Sequence, residues 1–244
     1  MNHFWDWWEL EPSVVAGCAA LAIGYFAIAR KHSLRRSPYF LAGVLLLLLD
    51  LVSPLDTLAD RYLFSAHVTQ HFLLALVIPA MFLLGMPRFH LGALVNLERV
   101  IGQPPISWLL GVGTMLLWHV PALFDAALLN DALHIFQHLT FLVTGVIFWW
   151  PILSPLPDRR LPAFPAVSYL FSACLSCSLL GAYLTFGPAG LYPAYSGYAG
   201  LSPQADQQLG GLLMWIPGCF VYLTAILATV SRWYKAETTA EING

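Results

Sequence analysis

Seven apolar runs, near residues 13–30, 38–54, 65–86, 104–122, 133–153, 164–187 and 207–231, fill most of this chain. Each is long enough to cross a hydrocarbon layer as a helix, which needs about 20 residues at 1.5 Å rise per residue. The connecting loops are short, except for 188–206, which is rich in Gly, Pro and Tyr and has no Lys or Arg. Charged residues make up only 10% of the 244 and hydrophobic ones 59%, so a water-soluble globular domain is excluded and no room remains for one beside the spans. The fold class read from this pattern is an all-α membrane protein, a bundle of about seven transmembrane helices forming one domain over residues 1–234. Residues 235–244 read as a disordered cytoplasmic tail.

Charge placement sets the expected orientation. Arg30, Lys31, Arg35 and Arg36 fall between the first and second runs, Arg88 and Arg99 between the third and fourth, Arg159 and Arg160 between the fifth and sixth, and Arg232 and Lys235 after the seventh. With seven crossings, all of these lie on one side and only Arg61 lies on the other. The positive-inside rule then predicts an outside amino terminus and a cytoplasmic carboxyl terminus. The amino-terminal segment is acidic and carries Trp5, Trp7 and Trp8, which suits an interfacial aromatic belt and not the basic start of a cleaved signal peptide. The net charge of -2, spread over loops, gives no basic face for nucleic acid.

Of eight histidines, His3, His32 and His90 fall in the tail or loops, while His67, His71, His119, His134 and His138 fall within spans. Ionisable groups in a bilayer are costly and mark functional sites by default. Under the expected topology all five lie within roughly 10 Å of the outer hydrocarbon boundary, counting 1.5 Å per residue. Asp206 lies at that level, with Asp50 and Asp125 near it. His67 and His71, and likewise His134 and His138, are spaced i and i+4, so each pair projects from one helix face. Both pairs read His-x-x-Gln-His, with Gln70 and Gln137 in matching places.

A shared depth points to a ligand cluster more than to scattered interhelical hydrogen bonds, and a proton relay would spread ionisable groups across the whole membrane. Imidazole suits copper, zinc, iron and nickel, and the first-row affinity order favours copper; haem held between two helices is the competing use of the same residues. The HExxH signature of zinc proteases is absent. Four cysteines fall in apolar stretches and imply no disulfide framework. Cys174 and Cys177 lie among Ser168, Ser172, Ser176 and Gly181, a small-residue face expected to serve close helix packing.

Four segments in order carry a resemblance over about residues 50 to 220: Ser65-Ala66-His67-Val68-Thr69-Gln70-His71; Trp118-His119-Val120-Pro121-Ala122-Leu123-Phe124-Asp125; His134 to His138 followed by Phe148-Trp149-Trp150-Pro151; and Asp206-Gln207-Gln208 leading to Met214-Trp215-Ile216-Pro217-Gly218. Together they resemble the CtaG family of cytochrome c oxidase assembly factors, the multi-span type associated with caa-type oxidases. The resemblance implies a protein of the bacterial inner membrane that helps mature a haem–copper oxidase by handling copper for its buried copper centre. It implies metal handling more than enzymatic turnover. Its partners would be oxidase subunits and a copper donor on the outer side. The metal positions it implies are His67, His71, His119, His134, His138 and Asp206, with haem or non-haem iron in a redox enzyme as the alternative.

Overall fold

The computed structural model describes residues 7–30, 34–87 and 102–243, with side chains placed up to residue 239. His3, His32 and His90, and with them Trp5, Lys31, Arg88 and Arg99, lie outside the described residues. The described residues are helical almost throughout, with no strand among them beyond a single bridge between Tyr198 and Leu201. The helices are α1 (Pro12–Ala29), α2 (Ser37–Val52), α3 (Pro54–Arg61), α4 (Phe64–Phe72), α5 (Ile78–Gly85), α6 (Pro104–Trp118), α7 (Pro121–Leu128), α8 (Asp131–Leu153), α9 (Ala163–Phe186) and α10 (Pro203–Asn243).

Proline starts many of them. Pro12, Pro54, Pro104, Pro121 and Pro203 each occupy a first helical position, where the missing N–H has no intrahelical partner to lose. Ser53 caps α3 by accepting from Leu55 N at 3.3 Å, and Asn130 caps α8 by accepting from Leu133 N at 3.0 Å.

Among the described residues, five helical stretches are long and apolar enough to cross a membrane: Pro12–Ala29, Phe64–Gly85, Asp131–Leu153, Ala163–Phe186 and Pro203–Thr239. Two bent pairs raise the number to seven if each is one span. Leu34–Val52 turns by 48° into Pro54–Arg61, and Pro104–Trp118 turns by 75° into Pro121–Leu128. The second break divides a stretch that the sequence reads as one span to residue 122. Pro121 cannot donate a helical hydrogen bond, and the carbonyl of His119, left at the helix end, accepts from the Tyr192 hydroxyl at 2.8 Å instead. At the other extreme α10 continues past Tyr234 through Asn243, over residues read from sequence as a disordered tail; no Gly or Pro interrupts that stretch.

Between α4 and α5 the helix widens into a π turn over Leu73–Val77, where Ile78 N reaches back to Leu73 O. The cause is Pro79. It has no N–H to give the carbonyl of Ala75, one helical turn earlier, and the widened turn absorbs the misfit. That carbonyl faces Gly145 of α8, and a Cβ on Gly145 would collide with it and with Pro79 Cγ. The glycine therefore lets α8 run tightly beside the third span, which brings the two histidine pairs together.

Contacts sort the helix ends into two groups. At one end, the Trp7 carbonyl accepts from Thr57 of α3, Tyr195 reaches Ala59 of α3, Asp206 reaches the start of α4, and Gln207 reaches Leu184 near the end of α9. At the other end, Tyr25 of α1 bonds Ser37 at the start of α2 and Gly85 at the end of α5, and Phe164 meets Trp233. Arg30, Arg35, Arg36, Arg159, Arg160, Arg232 and Lys235 belong to this second end, and Arg61 to the first.

The seam between α9 and α10 uses small residues, as expected, with Gly181 and Cys177 of the expected face in it. A Cβ at Gly181 would press on Trp215, and Cys177 Sγ lies 3.7 Å from Met214 O. Ser168, Ser172 and Ser176 instead bond carbonyls of their own helix. Cys174 Sγ sits 3.6 Å from Cys219 Sγ.

Candidate metal centre

The geometry of α4 places His67, Gln70 and His71 inward, and all three are buried. His67 Nε2 and His71 Nε2 are 2.8 Å apart. From α8, His134 and His138 come alongside with ring centroids 4.2 Å apart. His67 lies 5.2 Å from His134 and 5.8 Å from His138, and His71 lies 5.6 Å from His138, ring to ring. One donor nitrogen each from His67, His71 and His138 falls within 4.8 Å of the others. Imidazoles sharing one tetrahedral ion sit roughly 3.3 Å apart, given metal–nitrogen bonds of ~2.0–2.1 Å, so small side-chain adjustments would satisfy a shared ion.

Hydrogen-bond accounting supports a ligand role. The Tyr195 hydroxyl donates to Ala59 O at 2.7 Å and lies 3.0 Å from His67 Nδ1. Its proton is therefore committed, so Nδ1 carries the proton of that second contact and His67 Nε2 is the acceptor of its 2.8 Å hydrogen bond with His71 Nε2. Burial, with Asp60, Asp206 and Asp125 nearby, pushes the Tyr195 phenol well above its ordinary range, so it stays protonated and keeps the tautomer fixed. In the same way His119 Nδ1 donates to Met115 O at 2.7 Å. What is left is a set of buried ring nitrogens with no hydrogen-bond partner among the described residues: His71 Nδ1, His119 Nε2, His134 Nε2 and His138 Nε2. Each such group costs about 1–3 kcal/mol unless something pairs with it. The unpaired nitrogens of His134 and His138 could serve a metal ion, whereas His119 stands outside the described donor groups.

Aromatic rings wall the cluster. Phe124 lies 4.8 Å from His67 and Phe141 lies 4.3 Å from His71, both rings wholly buried. Phe64 stacks on Tyr192 at 4.2 Å above them. On the inner side of the histidines is a cavity of about 40 Å³ lined in part by His71, His119, Met115, Phe141, Cys177 and Met214. It has room for a few water molecules, at about 10–15 Å³ each.

Not every residue expected at the site joins it. Among the described histidines His119 has a ring contact with His71 alone, at 5.7 Å, and it is outside the described donor groups. Asp206 stands apart altogether. Its two carboxylate oxygens accept from Phe64 N at 2.7 Å and Ser65 N at 3.1 Å, so it caps the amino end of α4 from another helix. Gln70, paired with Gln137 by sequence position, ties helices together by donating to Asp50 O and to Asp56 Oδ1, each at 2.8 Å. Neither Cys174 nor Cys177 belongs to a described donor group.

Conversely, the structure brings in Asp60 and Tyr195, which sequence reasoning passes over. Asp60 Oδ1 is 3.6 Å from His134 Nε2, and Asp60, His67 and His134 form a second donor group within 4.8 Å. Its signal in the sequence is the i, i+4 spacing of Asp56 and Asp60 just after the second apolar run. Tyr195 sits in a loop with no periodicity to reveal it.

Comparison with known proteins agrees with the site's motifs. The chain is 24% identical to an uncharacterised protein of Mycobacterium leprae over 96% of its own length, and 28% identical to uncharacterised proteins of Mycobacterium bovis and Mycobacterium tuberculosis over 94%. In each case it spans about 40% of the relative's length. No solved structure matches it. The profile described as cytochrome c oxidase caa3 assembly factor (Caa3_CtaG) matches residues 19–236, nearly the whole chain, and the protein belongs to that family.

Proposed function

We propose that this assembly factor binds copper as cargo at His67, His71 and His138 and passes it to the copper centre of a haem–copper oxidase. The observation that carries the reading is the convergence of two i, i+4 histidine pairs from parallel helices, with buried ring nitrogens that no described residue hydrogen-bonds. Imidazole donors suit copper, and family membership supplies the oxidase as destination. Tyr195 orients His67, Asp206 holds the first turn of α4 in place, and the phenylalanine wall keeps bulk water from the ion.

The distribution of basic residues supports seven crossings in a bacterial inner membrane, with the amino terminus and the histidine layer outside and the carboxyl terminus in the cytoplasm. An outer copper donor and the oxidase subunit receiving the ion would then meet the protein at its histidine end. A haem enzyme using the same residues fits less well, because the histidines face one another across a tight, aromatic-walled cluster beside a cavity of only about 40 Å³.

The test is the double substitution His71→Ala with His138→Ala. It should abolish copper that survives desalting of the purified protein, and cells carrying it should fail to assemble active oxidase in copper-poor medium. Full copper retention by the double variant would refute the assignment.

A further inference from the structure

Two donor groups, not one, occupy the histidine end, and they share His67. The inner group, His67, His71 and His138, is all imidazole, and its first two members are essentially shut off from solvent. The outer group is different in composition and in access. It combines the Asp60 carboxylate with His67 and His134, and the side chains of Asp60 and His134 are 36% and 15% exposed. In the inner trio His138 is partly buried, as His134 is, so the contrast in access rests on the exposed Asp60 carboxylate.

The contact between Asp60 and His134 is informative. At 3.6 Å it is too long for a hydrogen bond, and His134 Nε2 has no other hydrogen-bond partner. It is close to the ~3.3 Å separation of two donors around one ion. The electrostatics of the mouth also favour cations. Glu9, Glu11 and Asp131 all lie near enough to act on Asp60, while Arg61, the one basic residue described at this end, is engaged by Glu9 at 2.6 Å. Such a cleft raises the local concentration of cations.

We propose that Asp60, His67 and His134 form an outer loading position for a divalent copper ion, from which the ion moves to the inner trio by exchanging ligands around the shared His67. A carboxylate with two imidazoles accepts the harder divalent ion, and the buried imidazole trio then holds it away from water. No electron transfer is needed for this step. Because His67 is common to both groups, one ion occupies one position at a time, and the path between them is a change of two ligands. This inference rests on the inner trio being the holding site.

The test uses the full chain purified in detergent and copper(II) sulfate. Asp60→Asn, which keeps the side chain's shape, should slow the appearance of desalting-resistant copper by about tenfold while the same final amount is reached. In the His71→Ala, His138→Ala background a weaker copper(II) signal should persist by electron paramagnetic resonance during titration, and adding Asp60→Asn should remove it. Loading at the wild-type rate in Asp60→Asn, or a residual signal indifferent to Asp60, overturns the proposal. So does loss of all retained copper in Asp60→Asn, which would merge the two positions into one. If the wild-type chain retains no copper, the holding site fails instead, and the dependence of the titration signal on Asp60 still decides the outer position.

Discussion

Replacing Asp206 by Asn separates two accounts of a residue that the sequence places among the ligands. In the structure the carboxylate is wholly buried and spends both oxygens on the backbone N–H groups of Phe64 and Ser65. Asparagine can accept from one of them, but its amide group then faces the other N–H with a donor. One charge-assisted hydrogen bond is lost and one buried donor is left without a partner, a loss of about 2–3 kcal/mol. For a chain of this size that is about 4–12 °C in melting temperature. The four free cysteines are buried or half-buried, so a thiol-reactive dye reports unfolding in detergent as they become exposed. Copper content, measured below the melting transition, should match that of the wild type. A variant that melts normally yet has lost its copper would refute the capping role and make Asp206 a ligand.

Other substitutions probe the supports of the site. Tyr195→Phe removes the hydroxyl that fixes His67 and should weaken copper retention about 10- to 100-fold, measured by competition with a chelator, with the helical content unchanged. Gly145→Ala puts a methyl group against the Ala75 carbonyl and Pro79, so it should cost about 1–3 kcal/mol in thermal stability and loosen the approach of His138 to His71, seen as weaker copper binding. Replacing Cys174, Cys177 and Cys219 together by Ala should leave copper stoichiometry unchanged in elemental analysis, because the donor groups contain no sulfur.

The apolar runs predict helices whose ends agree with the observed ones to within a few residues at most positions, since burial in lipid and Pro or charged boundaries act locally along the chain. That the histidines of α4 and α8 gather at one end of the bundle is legible for the same reason. Depth, however, does not tell which groups face one another. Asp206 lies at the same end of the bundle but turns to α4, His119 nears His71 alone among the described histidines, and Asp60 joins His134 across two connections that no local pattern reveals. The break after Trp118 and the π turn before Ile78 are both written in prolines, Pro121 and Pro79. Their effect on helix direction depends on what meets the carbonyls there, the Tyr192 hydroxyl at His119 in one case and the close approach of Gly145 to Ala75 in the other, and those neighbours are distant in sequence.

If the histidine cluster holds copper as cargo, elemental analysis of the full chain purified in detergent, read beside its visible spectrum, gives stoichiometric copper with no Soret band; copper-free protein containing iron, with or without that band, would mean that the cluster serves another metal.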